Sequence, residues 1–250
     1  MKTMRQMHST LLAAVSALGA LSGGAEAASI GVDFGNATFP LVATDSAGAP
    51  GFEQTNWYAV STLGTNIPLF DNTGAATTAT LSLPLSGVMQ TGISNPTAGA
   101  DERLHRSYLR TTALGANYSF TLDNIPYASY SLLVYQLGTT SGQTTSITAG
   151  GTTYYLSNPL YSAPGYIDGE AGTPFLYTRA TSTNSAAPTP LSNYVLFTGL
   201  SAASLTVDID AISSSNGHVG GFQIIAVPEP GSAALLALGA LGLLARRRVA

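Results

Sequence analysis

The sequence predicts an all-β fold: an antiparallel β-sandwich or jelly roll of about ten strands, with one short helix. Three observations predict it. Apolar residues recur with period two in short runs, rather than with period 3.6. Clusters of Gly, Pro, Asn and Asp separate those runs at regular intervals. Only 9% of the residues are charged, so Thr, Ser, Asn and Gly carry the solubility, as in strands with hydroxyl-bearing outer faces.

The elements follow in order. Ile30 to Phe34 alternates and opens the fold as a strand. Asp45 to Gly51 is turn-rich, Trp57 to Thr62 is a second strand, and a Gly/Asn/Pro loop follows it. Asp71-Asn72-Thr73-Gly74 is turn chemistry, and Thr77 to Leu83 alternates hydroxyl and apolar side chains as a half-buried strand does. Asn95 to Gly99 is a break. Asp101 to Arg110 then changes character: it holds three of the four Arg between residues 28 and 226, acids precede bases, and Leu104 and Tyr108 stand four apart. This is the one helix expected. Tyr118 to Leu122 and Tyr130 to Leu137 are strands joined through Asp123-Asn124-Ile125-Pro126. Ser146 to Thr148 and Thr152 to Leu156 flank Ala149-Gly150-Gly151, whose glycines favour the positive φ of a tight hairpin. Asn158 to Pro174 is a long loop, Phe175 to Thr178 a short strand, and Ala180 to Pro190 an exposed low-complexity loop. Tyr194 to Phe197, Leu205 to Ile209 and Val219 to Val227 complete the set, with a turn at Asn216-Gly217.

The two ends stand apart from this domain. Met1 to Ala27 has the order of a secretory signal peptide: Lys2 and Arg5, an apolar stretch from Leu11 to Leu21, and an A-x-A cleavage site with Ala25 and Ala27 at its small positions. It implies passage through the Sec translocon. Val227 to Ala250 has three parts: Val227-Pro228-Glu229-Pro230, an uncharged apolar run from Gly231 to Ala245, and Arg246, Arg247 and Arg248. The prolines disfavour helix and central strand, which keeps the tetrapeptide extended. The run of about 15 residues is short of the roughly 20 of a comfortable span. Arginines that stay cytoplasmic place the remainder outside. These three parts in this order resemble the PEP-CTERM sorting signal of exopolysaccharide-producing Gram-negative bacteria. The resemblance implies a transmembrane hold at the inner membrane, processing by an exosortase at or near Pro228-Glu229-Pro230, and a final place at the cell surface or outside the cell. The chain is then a substrate, and the catalytic residues belong to its partner.

Between the ends lies one domain, Ala28 to Ala226. It contains no Lys, four Arg and eleven Asp or Glu, a net charge of −7. Such a surface repels phosphate backbones and argues against nucleic acid as a partner. The chain has no Cys, which excludes thiolate metal sites and a Cys nucleophile. All 12 Tyr and 8 Phe fall within the domain and supply a packed core. Tyr118 to Pro126 followed by Tyr130 to Tyr135, together with the closing Gly220-Gly221-Phe222-Gln223-Ile224-Ile225, is similar to strands of galactose-binding-like and malectin-like β-sandwiches. That resemblance implies a jelly roll, permits carbohydrate binding and transfers no binding residue.

Chemistry is sparse. There is no H-E-x-x-H, no G-x-S-x-G, no P-loop and no dinucleotide-binding glycine fingerprint, so no cofactor or metal is expected. His105 and His218 stand alone, without a His partner at ligand spacing. Asp168 and Glu170 share a Gly-rich loop and are read as solvated acids, with paired carboxylates for glycoside hydrolysis as the alternative. Asp208 and Asp210 alternate on a strand and face away from Leu205, Val207 and Ile209. They are read as a solvated face, with help in holding Ca²⁺ as the alternative. Trp57, Tyr154, Tyr155, Tyr161 and Tyr166 are the candidate glycan contacts, because an exposed ring offers a flat apolar face with a polar edge. Three readings result: a non-enzymatic surface or matrix protein associated with exopolysaccharide; a carbohydrate-binding module; and a polysaccharide hydrolase or lyase using Asp168, Glu170 or Asp208.

Overall fold

The computed structural model describes residues 27–35, 40–83, 87–91, 99–111, 116–136, 141–160, 174–212 and 217–228. The signal segment up to Glu26, Tyr161, Tyr166, Asp168, Glu170, Glu229, Pro230, the apolar run and Arg246 to Arg248 lie outside the described residues. Among the described residues no helix is long and apolar enough to cross a membrane.

Fourteen strands and one helix are described. The strands are β1 (Ser29–Asp33), β2 (Tyr58–Ala59), β3 (Ile67–Phe70), β4 (Ala76–Ser82), β5 (Gly87–Thr91), β6 (Ser107–Thr111), β7 (Tyr118–Asp123), β8 (Tyr130–Tyr135), β9 (Thr144–Ala149), β10 (Thr152–Ser157), β11 (Arg179–Ala180), β12 (Tyr194–Leu200), β13 (Leu205–Ala211) and β14 (Gly221–Ala226); the helix is α1 (Ala100–Arg106). One six-stranded sheet runs β11-β12-β8-β14-β1-β2 and a second runs β10-β9-β13-β7-β4-β3; β5 and β6 form a separate pair. The two large sheets make the predicted sandwich. All pairs in them are antiparallel except two short edge pairs, β1 with β2 and β11 with β12.

Alternation decides the core. Ile30 and Val32 of β1, Leu132 and Val134 of β8, and Phe222 and Ile224 of β14 are fully buried from one sheet. Phe120, Leu122, Ile147, Val207 and Ile209 meet them from the other. Three rings fasten the layers: Phe120 stacks on Phe222 at 5.3 Å, and Phe34 lies 5.9 Å from both.

The first sheet is buried on its other face too. Leu133, Tyr135 and Leu196 point away from the sandwich and pack with Leu41, Ala47, Ala49, Trp57 and Leu104. The loop 40–57 and α1 therefore form a third layer. Two glycines permit it. A Cβ on Gly31 would overlap the Gln54 side chain and stand 2.9 Å from the Trp57 ring. A Cβ on Gly220 would overlap the Leu104 carbonyl and stand 3.1 Å from His105 Cα.

Several boundaries differ from expectation. The helix stops at Arg106, and Ser107–Thr111 becomes β6, because Leu109 pairs with Val219 through two backbone hydrogen bonds of 2.9 and 3.0 Å. The segment read as a Gly/Asn/Pro loop contains β3, in which Pro68 sits on an edge strand, where a missing N–H is tolerated. Phe175 to Thr178 is not a strand; the short strand begins at Arg179. The hairpin at Gly150 and Gly151 is as expected, with φ of 57° and 77°. The low-complexity loop is exposed but pinned: Tyr155 N–H donates to Ser182 O at 2.8 Å and Ser157 N–H to Thr189 O at 2.9 Å. It covers the free edge of β10, which would otherwise invite strand addition.

Phe120 joins both layers with 1% exposure. Phe120→Ala is expected to lower unfolding stability by about 3–5 kcal/mol, read by urea denaturation of the secreted domain. A loss below about 1 kcal/mol would contradict the placement of this ring at the centre of the core.

Candidate functional site

The best-defined candidate is the place where the chain leaves the sheet. β14 lies between β8 and β1, with Ile225 opposite Ser29 and Ala226 opposite Tyr130. Pairing continues to the last possible residue. Ala226 N–H donates to Ala28 O and Val227 N–H donates to Ser129 O, both at 2.9 Å. The next residue, Pro228, has no N–H and is exposed. Ala28, the first residue after the proposed signal cleavage site, is thus beside the C-terminal exit. Ser29 is held there by Asn72, which receives its N–H on Oδ1 at 3.3 Å and returns its own backbone N–H at 2.8 Å.

Three turns surround this pole: 71–75, 123–129 and 201–204. The last two are tied together by Ile125 N–H to Ala203 O at 3.0 Å, Tyr130 Oη to Ala202 O at 2.8 Å and Ser204 Oγ to Asp123 Oδ1 at 2.5 Å. Their sequences contain Asp71 and Asp123 and no base. The Thr73 hydroxyl, with nearby backbone N–H groups, holds the Asp71 carboxyl below its usual range. The Arg residues sit at the opposite end: Arg103 and Arg106 on α1, Arg110 on β6, and Arg179 opposite Tyr194 at the start of β12.

The candidate glycan contacts separate on the structure. Trp57 is 4% exposed. Its indole N–H points at the carbonyls of Gln54 and Ala47, at 3.0 and 3.2 Å, and its ring meets Tyr135 edge-on at 5.9 Å. The expectation of an exposed Trp57 ring is corrected: it anchors the third layer. Tyr154 faces inward against Phe197 at 5.3 Å. Tyr155 lies on the outer face of the second sheet, opposite Ser146.

That outer face is rich in hydroxyls. The register aligns Thr153, Thr148, Asp208 and Ser119 across four strands, and Ser82, Thr121 and Thr206 across three. Asp208 is exposed and Asp210 half-buried on the same side, as their alternation predicts, with Ser146 Oγ 3.5 Å from Asp210 Oδ2. Among the described residues no three His, Asp or Glu side chains gather to hold a metal ion.

The polar groups that the sequence reading passed over are under the third layer. Tyr135 Oη donates to Gln223 Oε1, whose Nε2 donates to Phe52 O at 2.7 Å and Gln54 Oε1 at 2.9 Å. Asp101 Oδ1 accepts from Gly48 N–H at 2.9 Å and from Tyr177 Oη at 2.8 Å. Arg103 pairs with Asp45 at 2.7 Å, and Arg106 with Glu102. Asp33 is fully buried: Oδ2 accepts the Leu41 N–H at 3.2 Å and Oδ1 has no partner. Burial pushes its carboxyl up to about 8, against the smaller opposing effects of that N–H and of Arg103. His105 stacks on Phe175 at 4.8 Å, its Nδ1 2.8 Å from Asp101 O, and burial pushes it down to about 4. His218, against Tyr108 at 4.3 Å, is pushed to about 4 by burial and by Arg110. Asp33 and Gln223 show only as polar residues on apolar strands, and nothing in the sequence says which faces are covered; His105 and His218, read from the sequence as lone residues, are buried against rings.

Comparison with known proteins places a PEP-CTERM protein-sorting motif at residues 226–248, as the sequence resemblance implies. No curated protein matches the sequence. Among solved structures, the chain is similar to a family 35 carbohydrate binding module from Clostridium thermocellum, with 14% identity over 60% of this chain and 92% of that one, at a TM-score of 0.30. It is also similar to the ANX2 ectodomain from Arabidopsis thaliana, with 12% identity over 80% of this chain and 42% of that one, at a TM-score of 0.40. At these scores neither bears on ligand or role.

Two predictions follow the geometry. Folded Asp33 keeps its proton up to about 8 while the unfolded carboxyl loses it near 3.8; its contribution is therefore present below 3.8 and lost as pH rises towards 8. The two His act oppositely: unfolded imidazoles charge near 6.5 but the folded ones near 4, so their contribution is present above 6.5 and lost as pH falls. Stability of the isolated domain is expected to peak near pH 6.5 and to fall by about 1.4 kcal/mol per unit on the alkaline side. Asp33→Asn removes the alkaline limb in urea midpoints, and an unchanged limb in that variant would refute the assignment. Trp57→Ala is expected to cost about 3–5 kcal/mol of stability. A fully stable Trp57→Ala domain that lost only glycan retention would restore the exposed-ring reading.

Proposed function

We propose that this is a secreted, non-enzymatic surface or extracellular-matrix protein, delivered as a folded β-sandwich through its C-terminal sorting signal. The motif implies export, a membrane-anchored sorting stage and processing by an exosortase. One observation carries the rest. The last strand is held in the middle of a sheet, and the chain passes from its final hydrogen bond at Val227 directly into Pro228.

The pole at this exit supports release rather than permanent attachment. Pro228, Glu229 and Pro230 span at most roughly 10 Å, so before processing the domain stands close to the membrane. The turns there offer Asp71 and Asp123 and no base, which gives anionic lipid nothing to attract. The covalent tail is then the hold, and cutting it frees the domain. In this reading Met1 to Ala27 is removed as a signal peptide, and the short run from Gly231 to Ala245 is a temporary anchor with Arg246 to Arg248 as its cytoplasmic stop.

The non-enzymatic part rests on the sequence, which offers no catalytic motif, and on Asp208 and Asp210 lying among hydroxyls on an open sheet face. In this reading any association with the cell's own exopolysaccharide uses that same face, with its hydroxyl rows and Tyr155.

Replacing Pro228, Glu229 and Pro230 together by alanine in the native host tests the proposal. The expected result is a full-length chain that stays with the membrane fraction, while the unaltered chain yields a shortened domain in surface washes. Equal release of both would remove the sorting step from the proposal.

A further inference from the structure

We infer that the sandwich itself sets the upstream limit of the sorting site: while the domain is folded, Pro228 is the first residue beyond the hydrogen-bonded ladder that a processing enzyme can take hold of as extended chain. This rests on the sorting function proposed above and concerns how that site is presented.

Enzymes that cut an extended peptide take hold of it on both sides of the bond, commonly by adding it as a strand through free backbone N–H and C=O groups. Upstream of Pro228 the backbone N–H groups are already used, up to and including that of Val227. Ile224 is fully buried and paired with both Ile30 and Leu132. Ile225 pairs with Ser29 and Ser131. Ala226 and Val227 give their N–H groups to opposite neighbours, Ala28 and Ser129. No residue of free chain separates this closed ladder from the motif. The flanking strands come from the start and the middle of the domain, so the ladder exists only once the whole domain has folded. Recognition through the backbone of the folded protein is therefore one-sided, confined to Pro228 and the residues after it, with only the exposed Val227 side chain projecting from the ladder. The enzyme's approach is limited by the turns 71–75 and 123–129 beside the exit.

Moving the motif away from the ladder tests this. Gly-Ser-Gly-Ser-Val is inserted between Val227 and Pro228 of the full chain, so that a valine still precedes Pro228, and the variant is produced in the native host and followed by pulse-chase. Both terminal ladder bonds lie upstream of the insertion, so the melting temperature of the domain should not change. Processing is expected to be several-fold faster than in the unaltered chain. The same insertion after Pro230, which leaves the motif against the ladder, should give no acceleration. Equal or slower processing of the upstream insertion overturns the inference while leaving the sorting function intact, as does equal acceleration by the downstream one. No processing of any of the three chains, with the domain exported, overturns the sorting function and this inference with it.

Discussion

The structure depends on one constraint: the strands β8, β14 and β1 are covered on both faces. Their inward residues, such as Leu132, Phe222 and Val32, build the sandwich core, and their outward residues must suit a second, smaller one. Where the third layer approaches closely, the outward position of β1 is Gly31, and Gly220 stands just before β14. Where it is polar, each group needs a partner, and Gln223 finds Tyr135, Phe52 and Gln54. Asp33, with one oxygen unpartnered, keeps a proton instead of a charge.

The same constraint decides what remains available to other molecules. With one sheet covered on both sides, the open sheet face is the outer side of β10-β9-β13-β7-β4-β3. It consists of Thr, Ser and Asp with Tyr155, and its two free edges are blunted, by Pro68 on β3 and by the pinned segment 180–190 on β10. Such edges keep a sandwich from adding strands of other chains, because an unpaired strand recruits others. The Arg residues lie around α1 and the far ends of the strands, where Arg103 and Arg106 pair with Asp45 and Glu102. The turns beside Ala28 and Val227 offer Asp71 and Asp123 and no base.

Much of this was legible from residues in order. Period-two alternation located β1, β4, β7, β8, β9, β10, β13 and β14 because burial of one face leaves a local mark on each strand. Gly150-Gly151 marked a hairpin, since positive φ is a local demand. The sorting signal was legible for the same reason: its prolines, apolar run and arginines act by composition and order. What failed was non-local. β3 was hidden by Pro68, which is admissible only at an edge, and no sequence says which strand is an edge. Nothing local stops the helix as far as Arg110, yet it ends at Arg106 because Leu109 finds Val219 across the fold. Trp57 read as a sugar-facing ring, and its burial depends on Gly31 lying beneath it.

The sequence by itself therefore determined that the chain carries an all-β domain followed by a PEP-CTERM sorting signal. Alternation, turn chemistry and composition act over a few residues. Only the tertiary structure decided that Ala28 and Val227 share one pole, that one sheet is covered on both faces, and that the last strand is central rather than at an edge. Those facts are strand register and layer order, set by hydrogen bonds and packing between segments far apart in the chain, for which no single stretch of sequence carries the information.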